Sequence, residues 1–478
     1  MPFVLRIVLV AALGGVLFGF DTAVINGAVP VLRTMYMDAQ TGFAGGLPIT
    51  EQARDIWVGQ SVAMALVGAA IGAFAAGPMM NRIGRKRSMM VAAVLCLVSA
   101  IGSGLPATIL DFTFWRILGG LAFGAASVIA PAYIAEVSPA KMRGRLGSLQ
   151  QLAIVIGIFV AQVSNWFIAD LAGGAAKPLL GAEAWRWMFW VEAIPSVLYG
   201  LMALGIPESP RYLVMRQQTE RARGVLARVY GSDEVATEKV AEIRGTLDTH
   251  RPPKFTDILG PALFKRIVWI GIILSVLQQF VGINVVFYFS ATLWESAGFS
   301  QEDALLLSIL TSTTNVLTTL IAVGLIDKLG RKPLLIAGSI GMAVALAVEA
   351  YALASGDVVN GELKLDKTQG LMAVIAANVF VFSFGFSWGP IVWVLLGEMF
   401  TNRIRAGGLA VGACAQWVAN YIISATFLLM ATGLGLGLTY GLYAGCALLS
   451  LFFVILFVPE TKGRELESMG DFDQADAT

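Results

Sequence analysis

The stretch Asn81-Arg82-Ile83-Gly84-Arg85-Lys86 recurs as Asp327-Lys328-Leu329-Gly330-Arg331-Lys332, and reading the two together decides the fold. Each is a short cationic loop between two long apolar segments. Further pairs flank them in the same order. Glu136 stands seven residues before Arg143, as Glu398 stands seven before Arg405, and Pro207-Glu208-Ser209-Pro210 is echoed by Pro459-Glu460-Thr461-Lys462. Three ordered pairs at similar offsets imply a duplicated bundle of about six helices, a plan that encloses a site near the bilayer midplane.

The composition names the solvent. Of 478 residues, 57% are hydrophobic and 14% charged, and the mean hydropathy is +0.75. Soluble chains carry about a quarter charged residues, so lipid is the expected surroundings. A span needs roughly 20 apolar residues, and the expected spans are 7–29, 54–78, 89–106, 110–135, 146–170, 185–206, 265–297, 303–326, 334–354, 368–397, 406–432 and 437–458. The expected fold is all-α, with twelve transmembrane helices in two six-helix bundles related by a pseudo-two-fold axis. The divisions are 1–206 for the first bundle, 207–264 for a helical linker, 265–458 for the second bundle and 459–478 for a tail. Met1 to Val16 reads as part of a retained first helix, since no cleavage site follows it.

Lysines and arginines crowd the loops after the second, fourth, eighth and tenth spans: Arg82, Arg85, Lys86 and Arg87; Lys141, Arg143 and Arg145; Lys328, Arg331 and Lys332; Arg403 and Arg405. The positive-inside rule then puts both termini in the cytoplasm. Cys96, Cys414 and Cys446 show no ligand spacing, and the single histidine, His250, excludes a histidine metal cluster or a triad. No metal, no nucleic acid, no cofactor and no enzymatic activity are expected. There is no P-loop, so driven transport must draw on a gradient.

Taken together, the two G-R-K loops, Glu136-Val137-Ser138-Pro139 with Arg143-Gly144, Trp185-Arg186-Trp187-Met188, Pro207-Glu208-Ser209-Pro210-Arg211, Gln278-Gln279 through Gly282-Ile283-Asn284, and Pro459-Glu460-Thr461-Lys462-Gly463 carry a resemblance. The chain resembles the sugar porter family of the major facilitator superfamily over essentially its whole length. One G-R-K loop marks only the superfamily, whereas the ordered set is specific. Asn81 departs from the aspartate usual in the first loop. The resemblance implies a bacterial inner-membrane transporter, working as a monomer on a monosaccharide and protons, with xylose or glucose as first candidates.

The residues support that chemistry on their own terms. A sugar needs groups that both donate and accept hydrogen bonds, and Asn and Gln do both. Gln151 and Gln162 lie about 20° apart on the fifth span, with Asn165 close to the same face. Gln278, Gln279 and Asn284 flank Gly282, and Asn315 lies in the eighth span. Gln416 and Asn420 share a face at i, i+4. Such amides also fasten helices together in membranes. Aromatic planes can pack on the apolar face of a sugar ring. Trp393 follows Gly389-Pro390, an expected helix break, and Trp417 neighbours Gln416. By resemblance, Gln151, Gln278, Gln279, Asn284, Asn315, Trp393, Gln416 and Trp417 fall on sugar-contact positions, with Phe18 and Tyr288 as additions.

Charges within spans are costly, at least about 2.5–3.5 kcal/mol on insertion scales. Asp21 in the first span and Arg116 in the fourth form a candidate proton-coupling pair, whose changing separation would load and release a proton; the alternative is a permanent structural ion pair. The resemblance favours coupling. Glu192 in the sixth span is a second candidate. Arg82, Arg85, Glu136, Arg143, Arg331, Glu398 and Arg405 form a candidate cytoplasmic gate, closed by salt bridges when the site faces outward and open when it faces inward. Competing functions are a facilitative uniporter with the same sugar site and a membrane sugar sensor, the latter expected to carry a longer tail.

Overall fold

The structure is a computed structural model that describes residues 2–139, 143–248, 255–261, 263–359, 362–400 and 404–461. The side chains of Arg143 and Arg405, and the expected tail from residue 462 onward, lie outside the described residues. Among the described residues twelve helices are long and apolar enough to span a membrane: Pro2–Gly27, Glu51–Ile83, Arg85–Ser103, Ile109–Val137, Leu149–Ala172, Ala184–Leu204, Arg266–Tyr288, Gln301–Ile326, Arg331–Ala354, Lys367–Leu396, Val411–Gly433 and Leu436–Phe457. They match the expected spans within a few residues, except that the seventh ends at Tyr288. A separate helix, Ser290–Ser296, follows it.

Repeated sequence produces repeated local structure. Thr50 caps the second span by accepting from the Ala53 amide, and Ser300 caps the eighth by accepting from Asp303. Thr108 and Asp366 do the same for the fourth and tenth. Each hydroxyl or carboxylate satisfies a backbone donor that a helix N-terminus leaves open. The G-R-K turns also superimpose in kind. Gly84 has φ +89° and Gly330 has φ +95°, values L side chains avoid. A β-carbon at either would strike the carboxylate of Glu208 or Glu460. The glycine in each motif is therefore a requirement of the turn and of the acid seated on it.

Within the first half, the second span packs on the fourth and the first on the fifth; within the second half, the ninth packs on the tenth and twelfth and the seventh on the eleventh. The halves meet where the eleventh span lies on the second and the eighth on the fifth. Large apolar side chains such as Phe74, Phe114 and Leu201 point outward, as expected where lipid replaces water. The polar segment between the halves forms helices Pro210–Met215, Thr219–Tyr230 and Asp233–Asp248. They share a small core of their own around Leu213, Val225, Leu226 and Val240.

Candidate functional site

The two charges placed in separate spans by the sequence meet in space. Arg116 donates from Nη1 to Asp21 Oδ1 at 2.8 Å and from Nη2 to the Asp21 carbonyl at 3.2 Å. Asp21 is 1% exposed and Arg116 2%. Glu192 is equally buried, at the discontinuity between helices Ala184–Val191 and Ala193–Leu204. It is an electrostatic neighbour of both Asp21 and Arg116. Among the described residues neither Glu192 oxygen nor Asp21 Oδ2 has a donor.

A small cavity beside Arg116 is lined by Thr22, Ile25, Phe123 and Tyr288 among others. Arg116 is on its wall, and Phe123 on the same wall belongs to an aromatic cluster drawn from both halves. Phe18 stacks on Phe123 with centroids 5.2 Å apart, and Trp417 meets Phe18 edge-on at 5.5 Å. Phe123 was not singled out by sequence reading, because an apolar residue in an apolar span carries no local signal.

The amides of the seventh span form a chain. Gln278 donates to the carbonyl of Trp388 at 2.7 Å, Gln279 donates to Gln278 Oε1 at 3.3 Å, and Asn284 donates to Gln279 Oε1. Between them the helix stops at Phe280 and restarts at Ile283, with Gly282 at φ +84°. The tenth span breaks as well, close to the Trp388 carbonyl that Gln278 reaches. It does so at Phe386–Ser387, not at Gly389-Pro390 as the sequence suggests. Pro390 falls in the first turn of the new helix, where a missing N–H costs nothing. The Trp388 indole locks that segment to the ninth span through Leu335 O at 3.1 Å and Ser339 Oγ at 2.9 Å.

Other amides divide between open and spent. Asn420 donates to Tyr288 Oη at 3.3 Å. Gln416 is 7% exposed, with its carbonyl oxygen unpartnered among the described residues. Gln151 is half-buried, Asn315 is buried, and Trp393 is 39% exposed; among the described contacts none ties these three side chains to the amide chain. Gln162 and Asn165 are helix fasteners. Gln162 accepts from Asn26 at 3.0 Å and donates to the Phe287 carbonyl at 3.4 Å, while Asn165 donates to the Val24 carbonyl at 3.0 Å.

Asn26, which the sequence reading passed over, is the joint between the halves. Fully buried, it donates to Ser308 Oγ at 3.1 Å and accepts from the Ala291 amide at 2.8 Å. Tyr421 also crosses, donating to Gln60 at 2.7 Å, and the Ala175 amide donates to Gln301 at 3.0 Å. All these crossings lie toward the helix ends opposite the G-R-K loops. At the G-R-K end the charges pair within each half instead. Arg85 reaches Glu136 at 2.8 Å, and Glu136 accepts from Ser209. In the repeat, Arg331 reaches Glu398 at 2.7 Å, and Glu398 accepts from Thr461 at 2.6 Å. No described ion pair joins one half to the other there, the arrangement expected when that gate is open. Arg82 is exposed and pairs with no acid among the described residues.

Another charge went unnoticed in the sequence. Glu349 in the ninth span is fully buried with neither oxygen partnered among the described residues, near Tyr440. A lone acid in an apolar run was the available signal.

A two-halved, twelve-span bundle with a buried polar centre, its halves hydrogen-bonded together toward one end, is a membrane transporter of the major facilitator fold and not an enzyme. Residues 7–471 match the family model described as sugar (and other) transporter, and the chain belongs to that family. It is 56% identical over 472 residues to a glucose transport protein of Synechocystis, covering 98% of this chain and 97% of that protein. It is 37% identical to the D-xylose-proton symporter of Escherichia coli, over 98% of this chain and 95% of that one. A solved partially occluded, inward-open conformation of the E. coli xylose transporter superimposes with a TM-score of 0.83, at 36% identity, covering 97% of this chain and all of that one.

Proposed function

We propose that this chain is a sugar:proton symporter that imports a neutral monosaccharide across a bacterial inner membrane by alternating access. Glucose and xylose are the first substrates to test, since relatives named for each align along nearly the whole chain. The observation that carries the coupling is the buried Asp21–Arg116 pair, with buried Glu192 as its electrostatic neighbour and Arg116 on the wall of the cavity that Phe123 and Tyr288 also line. Sugar hydroxyls exchange hydrogen bonds with Gln151, Gln278, Gln279, Asn284, Asn315 and Gln416, while Phe18, Tyr288, Trp393 and Trp417 cover the ring. Asp21 carries the proton, Arg116 stabilises its ionised form and Glu192 acts as its relay.

Both termini lie in the cytoplasm in this reading, because the cationic loops share their side of the membrane. The cytoplasmic gate works through Arg82, Arg85, Glu136, Arg143, Arg331, Glu398 and Arg405, which exchange partners within a half for partners across the halves. Each chain holds a whole pathway and works as a monomer, with the proton as its only co-substrate and no cofactor. The test is uptake of labelled glucose and xylose by proteoliposomes holding wild type or Asp21→Asn. The expected result is accumulation by wild type only under an inward proton gradient, and loss of accumulation with retained counterflow in the variant. Equilibration of sugar regardless of the gradient would make the chain a uniporter; no movement of either sugar would overturn the substrate.

A further inference from the structure

Where the first G-R-K loop meets the linker helices there is an open groove of about 1040 Å³ that borders the proposed gate at Arg82. Six cations line it: Arg82, Lys86 and Arg87 from the loop and third span, and Arg216, Arg221 and Arg228 from the linker. The one lining acid is Glu208. Its carboxylate is already committed, accepting from the amides of Arg85 at 2.9 Å, Lys86 at 3.3 Å and Ser209 at 2.8 Å. The nearby acids Glu220 and Asp233 are taken by Arg223, which is not part of the lining.

The linker cations are aimed, not scattered. Arg221 and Arg228 are seven residues apart and lie on one face of helix Thr219–Tyr230, with Gly224 and Val225 between them on the groove wall. Arg228 is braced by the ring of Phe3, 3.9 Å from its centroid, and Arg221 by Gln218 at 3.1 Å. Topology alone requires cations in the loop, but it does not require a second set from the linker to face the first across a cavity. Lys86 donates to the Leu204 carbonyl and Arg216 to the Arg82 carbonyl, and like charges gathered in one groove focus a positive potential that draws anions to it.

The rest of the lining says which anion. Met90 of the third span and Leu204 at the end of the sixth form part of the wall. Leu201, Met202 and Leu204 are exposed on the bundle's outer surface beside it. The groove thus passes from fixed cations to apolar span surface at the depth where these helices enter the bilayer. A phosphate attached to acyl chains suits both ends, whereas a free soluble phosphate leaves the apolar wall bare. We propose that this groove binds the headgroup of an anionic phospholipid, phosphatidylglycerol in type, and that the lipid ties helix Thr219–Tyr230 to the first half.

The test is native mass spectrometry of the full chain released from nanodiscs of phosphatidylethanolamine containing 30 mol% phosphatidylglycerol. Wild type should retain one phosphatidylglycerol in preference to phosphatidylethanolamine, and Arg221→Ala with Arg228→Ala should reduce that preference by about fivefold or more. The control, Lys239→Ala with Arg244→Ala, removes the same charge from the neighbouring linker helix outside the groove and should retain the lipid. Thermal melting of both variants checks folding. Equal retention of the two lipids by wild type, or equal loss in control and groove variants, overturns the proposal. Displacement of the lipid by millimolar glycerol phosphate would assign the groove to a soluble phosphate and overturn the lipid.

Discussion

Removing the side chain of Asn26 should open the sealed end of the transporter. The Asn26 amide makes three hydrogen bonds in a site with no exposure. One, to Gln162, stays within the first half, and two, to Ser308 and to the amide of Ala291, cross to the second. Only the crossing bonds distinguish the sealed state from one in which the halves part at this end. A hydrogen bond within a folded protein contributes about 0.5–1.5 kcal/mol net, and measured values between membrane helices average about 0.6. Two such bonds give roughly 1–3 kcal/mol, so Asn26→Ala should raise the outward-open to sealed ratio by about fivefold to 160-fold.

The assay is double electron–electron resonance between spin labels at Gln40→Cys and Ser355→Cys, exposed positions on the outer loops of the two halves, with Cys414 and Cys446 replaced. In wild type the short-distance population should dominate; in Asn26→Ala a longer-distance population should grow. Counterflow should survive, because no proposed sugar contact is removed. An unchanged distance distribution in a variant with normal thermal stability would falsify the assignment of Asn26 as the joint.

Glu295, beyond the end of the seventh span, should make sealing depend on pH. Burial pushes its carboxyl up to about 7, against the opposing influence of Gln301 and Arg33. In an opened state it would be solvated and titrate near the usual 4.3. The sealed state therefore binds the proton more tightly and gains population as pH falls from about 7 toward 4.3, with no further gain below both values. The same labels should show that component lost in Glu295→Gln; an identical pH profile in the variant rules it out. At Gly282, a β-carbon would lie 2.6 Å from the Tyr443 ring, on a backbone with φ +84°. The left-handed strain alone costs about 1–2 kcal/mol, so Gly282→Val should slow glucose counterflow by tenfold or more, and an unaltered rate would show that this break has no part in transport.

The twelve spans, their duplication and the candidate charges were all legible in the sequence. Lipid demands long apolar runs, and charges such as Asp21 and Arg116 stand out against them. The loops were equally legible, since Gly84 and Gly330 serve a turn whose geometry is local. The particular partners were not. Nothing near Asn26 in the chain points to Ser308 or Ala291, which lie 282 and 265 residues away. Phe123 joined Phe18 and Trp417 through the packing of three helices, with no trace in its own neighbourhood.

The fate of the amides was a tertiary decision as well. Gln162 and Gln416 are the same residue type in similar apolar contexts, yet one spends its side chain fastening helices and the other keeps an unpartnered oxygen. The break in the tenth span fell before Trp388 because the indole bonds to the ninth span fix where the new helix begins. Arg85 with Glu136 and Arg331 with Glu398 could have paired within or across the halves. Sequence supplies charges able to do either, and only the relative placement of the two bundles selects between them. The sequence by itself determined which groups must be buried in the membrane and that they occur twice; the tertiary structure decided which of them meet, because hydrogen bonds and ion pairs depend on distances set by helix packing and not by position along the chain.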